Sequence, residues 1–263
     1  MISPRSFDFH VADGIAYIHL NRPEAYNALT FEVYGELTRC FADLQNQESV
    51  RVVVLSGRGK AFCSGGDVRE IIGPLLDQDE NKLLEFTRMT CELVWQMRAL
   101  SKPVIASLNG ITAGAGAILA MASDFRIASN TAKIAFLFVR VGLSGADMGA
   151  CYILPKIVGL TKATELLMTG DFISAEEALR IGFYNQICPP KNLEEVTREL
   201  ALRLTEGPSN GLAVTKQQIN SESLSRLREV LDEEARVQAR CMLHPDFQEG
   251  YVAFTEKRKP KFL

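Results

Sequence analysis

Hydrophobic and polar positions alternate along FDFHVADGIAYIHL, residues 7–20, on both sides of Asp13-Gly14. Alternation around a D-G pair predicts a β-hairpin. The period then changes. In TFEVYGELTRCFADLQ, residues 30–45, Tyr34, Leu37, Phe41 and Leu44 fall on one helical face behind Thr30 as the cap. RVVVLSG, residues 51–57, is a β-branched run with the look of a buried strand. The chain therefore opens β–β–α–β.

After Gly66 a short helix is expected, then a polar, mobile loop around residues 73–82. The next stretch, residues 82–100, is amphipathic, with Leu83, Phe86, Thr90, Leu93 and Met97 aligned; Ser101-Lys102-Pro103 ends it. Strands are predicted over residues 103–110, 124–129 and 133–139. From residue 146 onward the signals are helical. Ser174–Glu177 and Asn192–Glu195 have the spacing of capping boxes. Gly182 reads as a helix stop and Gly207-Pro208 as a break. A long helix covers residues 222–241, and Asp246–Glu249 caps a last short one. The pattern divides the chain into an α/β core, residues 1–190, and a helical region, residues 191–263.

Composition narrows the function. A net charge of −3 makes no electrostatic case for nucleic acid. No apolar run is long enough to span a membrane and no signal-peptide pattern opens the chain, so a cytoplasmic protein is expected. The six cysteines are scattered, without a C-x-x-C pair, and read as free thiols packed in the core. With three histidines, His10, His19 and His244, neither a histidine metal site nor a Ser–His–Asp triad is well supplied; no metal is expected.

Two stretches share one architecture. GKAFCSGGDV (59–68) and NGITAGAGAILAM (109–121) each follow a strand, pass through small residues and enter a helix. Neither is a dinucleotide or P-loop fingerprint. A helix N-terminus offers free N–H groups and partial positive charge. Two such turns side by side can point one N–H each at a common oxygen, which makes an oxyanion hole from backbone.

These two stretches, with NRPEAYNAL (21–29), GLTKATELLMTGDFISAEEALRIG (159–182) and FTEKRKPKF (254–262), resemble the enoyl-CoA hydratase/isomerase (crotonase) superfamily, in order over essentially the whole chain. The resemblance implies a spiral of ββα units with a C-terminal helical trimerisation region. It implies a homotrimer or dimer of trimers, and acyl-CoA thioester substrates whose enolate is stabilised, with no cofactor beyond the substrate's own coenzyme A. By the family's motifs, the oxyanion donors fall on the N–H groups of Ser64 and Ala115. Ala25, Ala61, Gly65, Gly66, Asp67 and Gly114 fall at substrate-binding positions. Phe254 and Lys257 match residues that reach a neighbouring subunit's CoA.

The chain departs from that pattern at the acids. Ile118 and Phe138 stand where hydratases carry their two glutamates, and Ala25-Tyr26 replaces a basic pair. Asp147 remains at a position where a dienoyl-CoA isomerase branch shuttles protons and a dehalogenase branch has its nucleophile; as a plain residue it equally suits a helix cap. Asp67 reads as structural and Glu70 as solvated; Cys63, Cys151 and Tyr152 are remote candidates for the chemistry, and both cysteines read first as core packing. The resulting expectation is double-bond isomerisation, or atypical hydration, with Asp147 as acid/base. Covalent chemistry through Asp147 and a non-catalytic acyl-CoA binder are the alternatives.

Overall fold

Asp13 and Gly14 both take positive φ, 53° and 75°. They join β1 (Phe7–Ala12) to β2 (Ile15–Leu20) in antiparallel register, with Ala12 opposite Ile15, as a tight turn between right-twisted strands requires. The structure is a computed structural model that describes residues 4–261, with the backbone alone over 221–226; Phe262, at the end of the last family-like stretch, lies outside the described residues. Thr30 caps α1 (Phe31–Leu44) by accepting the Val33 N–H at 3.3 Å. Tyr34, Leu37, Phe41 and Leu44 are all buried. β3 (Val52–Gly57) lies parallel to β2.

A repeating unit then appears. β3 is followed by β4 (Ala61–Cys63), a π-helical turn (Val68–Ile72), α2 (Gly73–Leu75) and α3 (Glu80–Ala99). Next come β5 (Val104–Leu108), β6 (Ile111–Ala113) and α4 (Ala115–Ala122), then β7 (Phe125–Ser129), β8 (Lys133–Ala135), a 3-10 turn (Leu137–Val141), α5 (Ala150–Val158) and α6 (Leu160–Thr169). β9 (Ile173–Ser174), α7 (Ala175–Arg180), β10 (Gln186–Cys188), α8 (Leu193–Thr205), α9 (Ser209–Met242) and α10 (Pro245–Thr255) complete the chain. The first strand of each unit enters one sheet, ordered β1-β2-β3-β5-β7-β10, and the second enters another, ordered β4-β6-β8-β9. This is the expected ββα spiral with a helical C-terminal region.

The larger sheet separates two apolar layers. Val53, Leu55, Ala106 and Leu108 face the main core with α1, α3 and α4. Val52, Val54, Ile105 and Ile127 pack on Leu193 and Ala201 of α8. Both faces are therefore buried, which is why these strands read as continuous apolar runs.

Several expectations need correction. The region after residue 146 is not wholly helical: β9 and β10 are strands, β10 pairing parallel to β7. The strand expected over 133–139 stops at Ala135, because its partner β6 ends at Ala113 and Gly114 N–H takes the Ala135 carbonyl as the chain turns into α4. The irregular stretch expected over 73–82 is shorter, since α2 runs to Leu75 and Asp79 caps α3 through the Lys82 N–H. Asn192 makes no side-chain cap; it already has helical dihedrals at the end of a 3-10 turn. Ser174 does cap, accepting the Glu177 N–H at 3.2 Å. The long helix begins at Ser209 rather than 222, and His244, not Asp246, caps the last one ahead of Pro245.

Candidate active site

β4 and β6 are parallel neighbours, so the two glycine turns leave adjacent strands on the same side. They touch backbone to backbone. A Cβ on Gly116 would lie 2.2 Å from the Cys63 carbonyl oxygen. Gly65, at φ 113°, presents its α-carbon to the Ala113 carbonyl and the Ala115 nitrogen, at 3.3 and 3.7 Å from where a Cβ would sit. No side chain fits there. Gly114 N–H is bonded to the Ala135 carbonyl, and Ile118 N–H closes the first helical bond on Gly114. The N–H groups of Ala115, Gly116 and Ala117 between them form the open first turn of α4.

The Ser64 half of the pair differs. Its N–H donates to the Tyr26 carbonyl at 3.1 Å. That carbonyl is aimed by two successive left-handed residues, Tyr26 (φ 52°) and Asn27 (φ 57°). Buried Asn27 holds the segment in place: its side-chain amide donates to the carbonyls of Arg58 (2.9 Å) and Ala61 (2.8 Å), and its Oδ1 accepts the Arg22 N–H (2.9 Å).

The remaining residues at family positions sort by what they touch. The Ala61 carbonyl is held by Asn27 and Asn109, and Ala25 ends a short 3-10 turn without a charge to offer. Gly66 pairs with Leu29 across an isolated bridge. Asp67 caps the Val68–Ile72 turn through the N–H groups of Arg69 and Glu70, and its other oxygen meets Arg22 at 3.1 Å. Glu70 also pairs with Arg22, at 2.8 Å. Ile118 and Phe138 are buried. Phe254 is exposed at the end of α10, and Lys257, at φ 55°, is exposed just beyond it. Cys63 is buried with its thiol pushed up to about 12 by burial, a core residue as expected. Cys151 is exposed, contrary to its expected core role, because it sits on the outer side of the first turn of α5.

Asp147 is buried, and its Oδ1 finds no hydrogen-bond partner among the described residues. It is not a side-chain helix cap. The N-cap of α5 is Gly149, and the acid that serves the helix end is Glu234 of α9, which accepts the N–H groups of Gly149 at 2.5 Å and Cys151 at 3.3 Å. Burial pushes the Asp147 carboxyl up to about 7, against hydrogen bonds from the Gln238 side chain and the Met148 backbone. Glu234 is also raised to about 7, chiefly by burial and further by the charge of Asp147. Burial raises Tyr34 and Cys91; Tyr34 also feels the charges of Cys63 and Asp147, and Cys91 those of Asp147 and Glu234. Gln238 is fully buried and clamps Ser144 through its N–H and carbonyl.

Sequence reading assigned no role to Glu234 or Gln238. Their signal was present: two polar residues four apart, in line with Leu227 and Leu231 on an otherwise apolar face.

This burial has a consequence for stability. The native Asp147 carboxyl binds its proton more tightly than the unfolded one, so its contribution is fully present below about pH 4 and is lost as pH rises through about 7. Asp147→Asn is expected to be more stable than the wild type at pH 8, by up to about 3–4 kcal/mol, and to lose that advantage near pH 4. Urea unfolding at the two pH values measures it; equal differences at both would refute the assignment. Glu234 titrates in both proteins, and because the charge of Asp147 adds to its rise, Asp147→Asn also relieves Glu234 in the same direction.

A family model described as enoyl-CoA hydratase/isomerase matches residues 10–263. The chain is 34% identical over 254 residues to the trans-2-decenoyl-(acyl-carrier-protein) isomerase of Streptococcus mutans serotype c, covering 97% of this chain and 96% of that one. It is 34% identical over 257 residues to the 1,2-epoxyphenylacetyl-CoA isomerase of Escherichia coli K12, covering 96% of each. A solved structure from Streptomyces coelicolor A3(2), provisionally described as an enoyl-CoA hydratase, is 47% identical with a TM-score of 0.82, covering 99% of this chain and 95% of that one.

Proposed function

Because the chain belongs to the enoyl-CoA hydratase/isomerase family, and is an acyl-CoA enzyme of that type, we propose that it shifts a double bond in an acyl thioester, with Asp147 carrying the proton. The observation that carries this reading is the Asp147 carboxyl: buried, with an unpartnered oxygen and a proton affinity near neutrality. A single carboxyl of that affinity can take a proton at one carbon and return it at another. Adding water across a double bond asks for two acids, and Ile118 and Phe138 supply neither. A relative named as a trans-2-decenoyl-(acyl-carrier-protein) isomerase supports the same reading.

The thioester oxygen would sit between the N–H groups of Ala115 and Ser64, a donor pair that strengthens its hold as the enolate forms. For Ser64 this requires the Tyr26 carbonyl to share or yield the N–H it now accepts. Gly65, Gly66 and Gly114 keep the pocket floor bare, and Ile118 and Phe138 give the acyl group apolar walls. Phe254 and Lys257 are exposed and would meet the CoA of a neighbouring copy in a cytoplasmic homotrimer or dimer of trimers.

The test is turnover of an acyl-CoA panel followed by mass and absorbance. The expected product has unchanged mass and shifted absorbance, while crotonyl-CoA gains 18 mass units at least about 100-fold more slowly than in two-glutamate hydratases, the scale of one missing acid/base group. Fast hydration of crotonyl-CoA would overturn the isomerase reading. A stable adduct on Asp147 would replace it with covalent chemistry.

A further inference from the structure

Away from the glycine turns, where the C-terminal end of α4, the start of β7, α5 and α9 meet, lies a cavity of about 440 Å³. Its walls are largely apolar, with Ile153, Ile157, Leu212 and Leu227 among them, and its floor carries Arg98, Arg126 and Lys216. Asp124 is the single carboxylate among the described lining residues.

Lys156, a fourth basic residue in the lining, is exposed; the other three cations are not equally engaged. Lys216 Nζ is fully used, on Asp124 (2.7 Å) and the carbonyls of Lys102 (2.9 Å) and Met97 (3.3 Å). Arg126 donates to the carbonyls of Phe183 (2.5 Å) and Ser123 (2.6 Å). Arg98 bonds Asn220 but reaches Asp124 only at 3.9 Å, beyond hydrogen-bonding distance. Asp124 is itself shared, accepting the Val104 N–H at 2.8 Å as well as Lys216. Three nearly buried cations thus face one carboxylate in a low-dielectric pocket, a costly arrangement until a further anion arrives.

We propose that this cavity binds an amphiphilic monocarboxylate, with the carboxylate on Arg98 and the hydrocarbon tail against Ile153, Ile157, Leu212 and Leu227. A guanidinium fork matches a carboxylate with two parallel hydrogen bonds. The apolar walls select against a small hydrated anion, because they would gain nothing from it. The cavity also backs onto the Asp147 turn: its lining residues Ile153 and Leu227 close around Gly149 together with Leu231, at 3.4, 3.4 and 3.2 Å from where a Cβ would be.

Isothermal titration of the intact protein with sodium decanoate below micelle-forming concentration tests this, with decan-1-ol as the uncharged control. Saturable one-to-one binding of decanoate is expected, at least tenfold weaker for decanol and for Arg98→Met. Ile157→Trp fills the cavity while leaving all three cations in place, and is expected to abolish binding; it keeps the test valid where Arg98→Met fails to fold. Absence of saturable binding, equal affinity for decanol, or binding that survives Ile157→Trp would each overturn the proposal, the last by placing decanoate in the acyl site instead.

Discussion

Asp147→Asn is expected to lower isomerase turnover by about 10²–10⁴-fold, the usual worth of a positioned acid/base group. The loss should fall on kcat, because in the proposed mechanism the carboxyl acts on the moving proton and not on the CoA part of the substrate. The variant keeps its fold: the amide has the same shape, and Glu234, not Asp147, serves the end of α5. The wild-type rate should rise with pH through about 7 as the carboxyl ionises into its base form, and that limb should vanish in the variant. Steady-state kinetics between pH 5 and 9 measure both effects. Turnover within threefold of the wild type would remove Asp147 from the mechanism, whereas no turnover by the wild type on any acyl-CoA would favour a non-catalytic acyl-CoA binder.

Gly116→Val has the largest expected effect on stability. The added Cβ would stand 2.2 Å from the Cys63 carbonyl oxygen, which is backbone and part of β4. Relief requires β4 and α4 to separate, and with them the two glycine turns. A loss of more than about 4 kcal/mol is expected, enough to reduce soluble yield sharply. Gly35→Ala is the control. Gly35 lies inside α1 with nothing within 4 Å of its added methyl, and a helix-interior alanine should raise stability by about 0.5–1 kcal/mol. Thermal melts of the two variants separate steric closeness from a general intolerance of substitution at glycine.

The sequence made much of this legible because long elements carry periodicity. The hairpin, α1, β3 and α3 are each six residues or more, with their apolar faces correctly aligned. β4, β6 and β10 are three residues each; alternation cannot be read from three positions, and what defines them is pairing with distant strands. The two glycine turns were legible as small-residue strand–helix junctions. The Tyr26 carbonyl on Ser64 was not, because it depends on left-handed conformations at Tyr26 and Asn27, which side chains of these types do not announce as glycine does. Glu234 and Gln238 were hidden for another reason: their partners lie 85 and 94 residues away, and only the docking of α9 gives them meaning.

That docking sets an order of events during synthesis. The glycine turns and Asp147 emerge from the ribosome well before residue 234, and they fold with strands and helices that are already available. Until α9 arrives, Gly149 lacks the acceptor that fixes its turn and Asp147 lacks Gln238. The two glycine turns can therefore pair before α9 is made, while the Asp147 carboxyl gains its Gln238 partner only afterwards. The burial that raises the Asp147 carboxyl is therefore set by the docking of α9, not by the stretch of chain that carries Asp147.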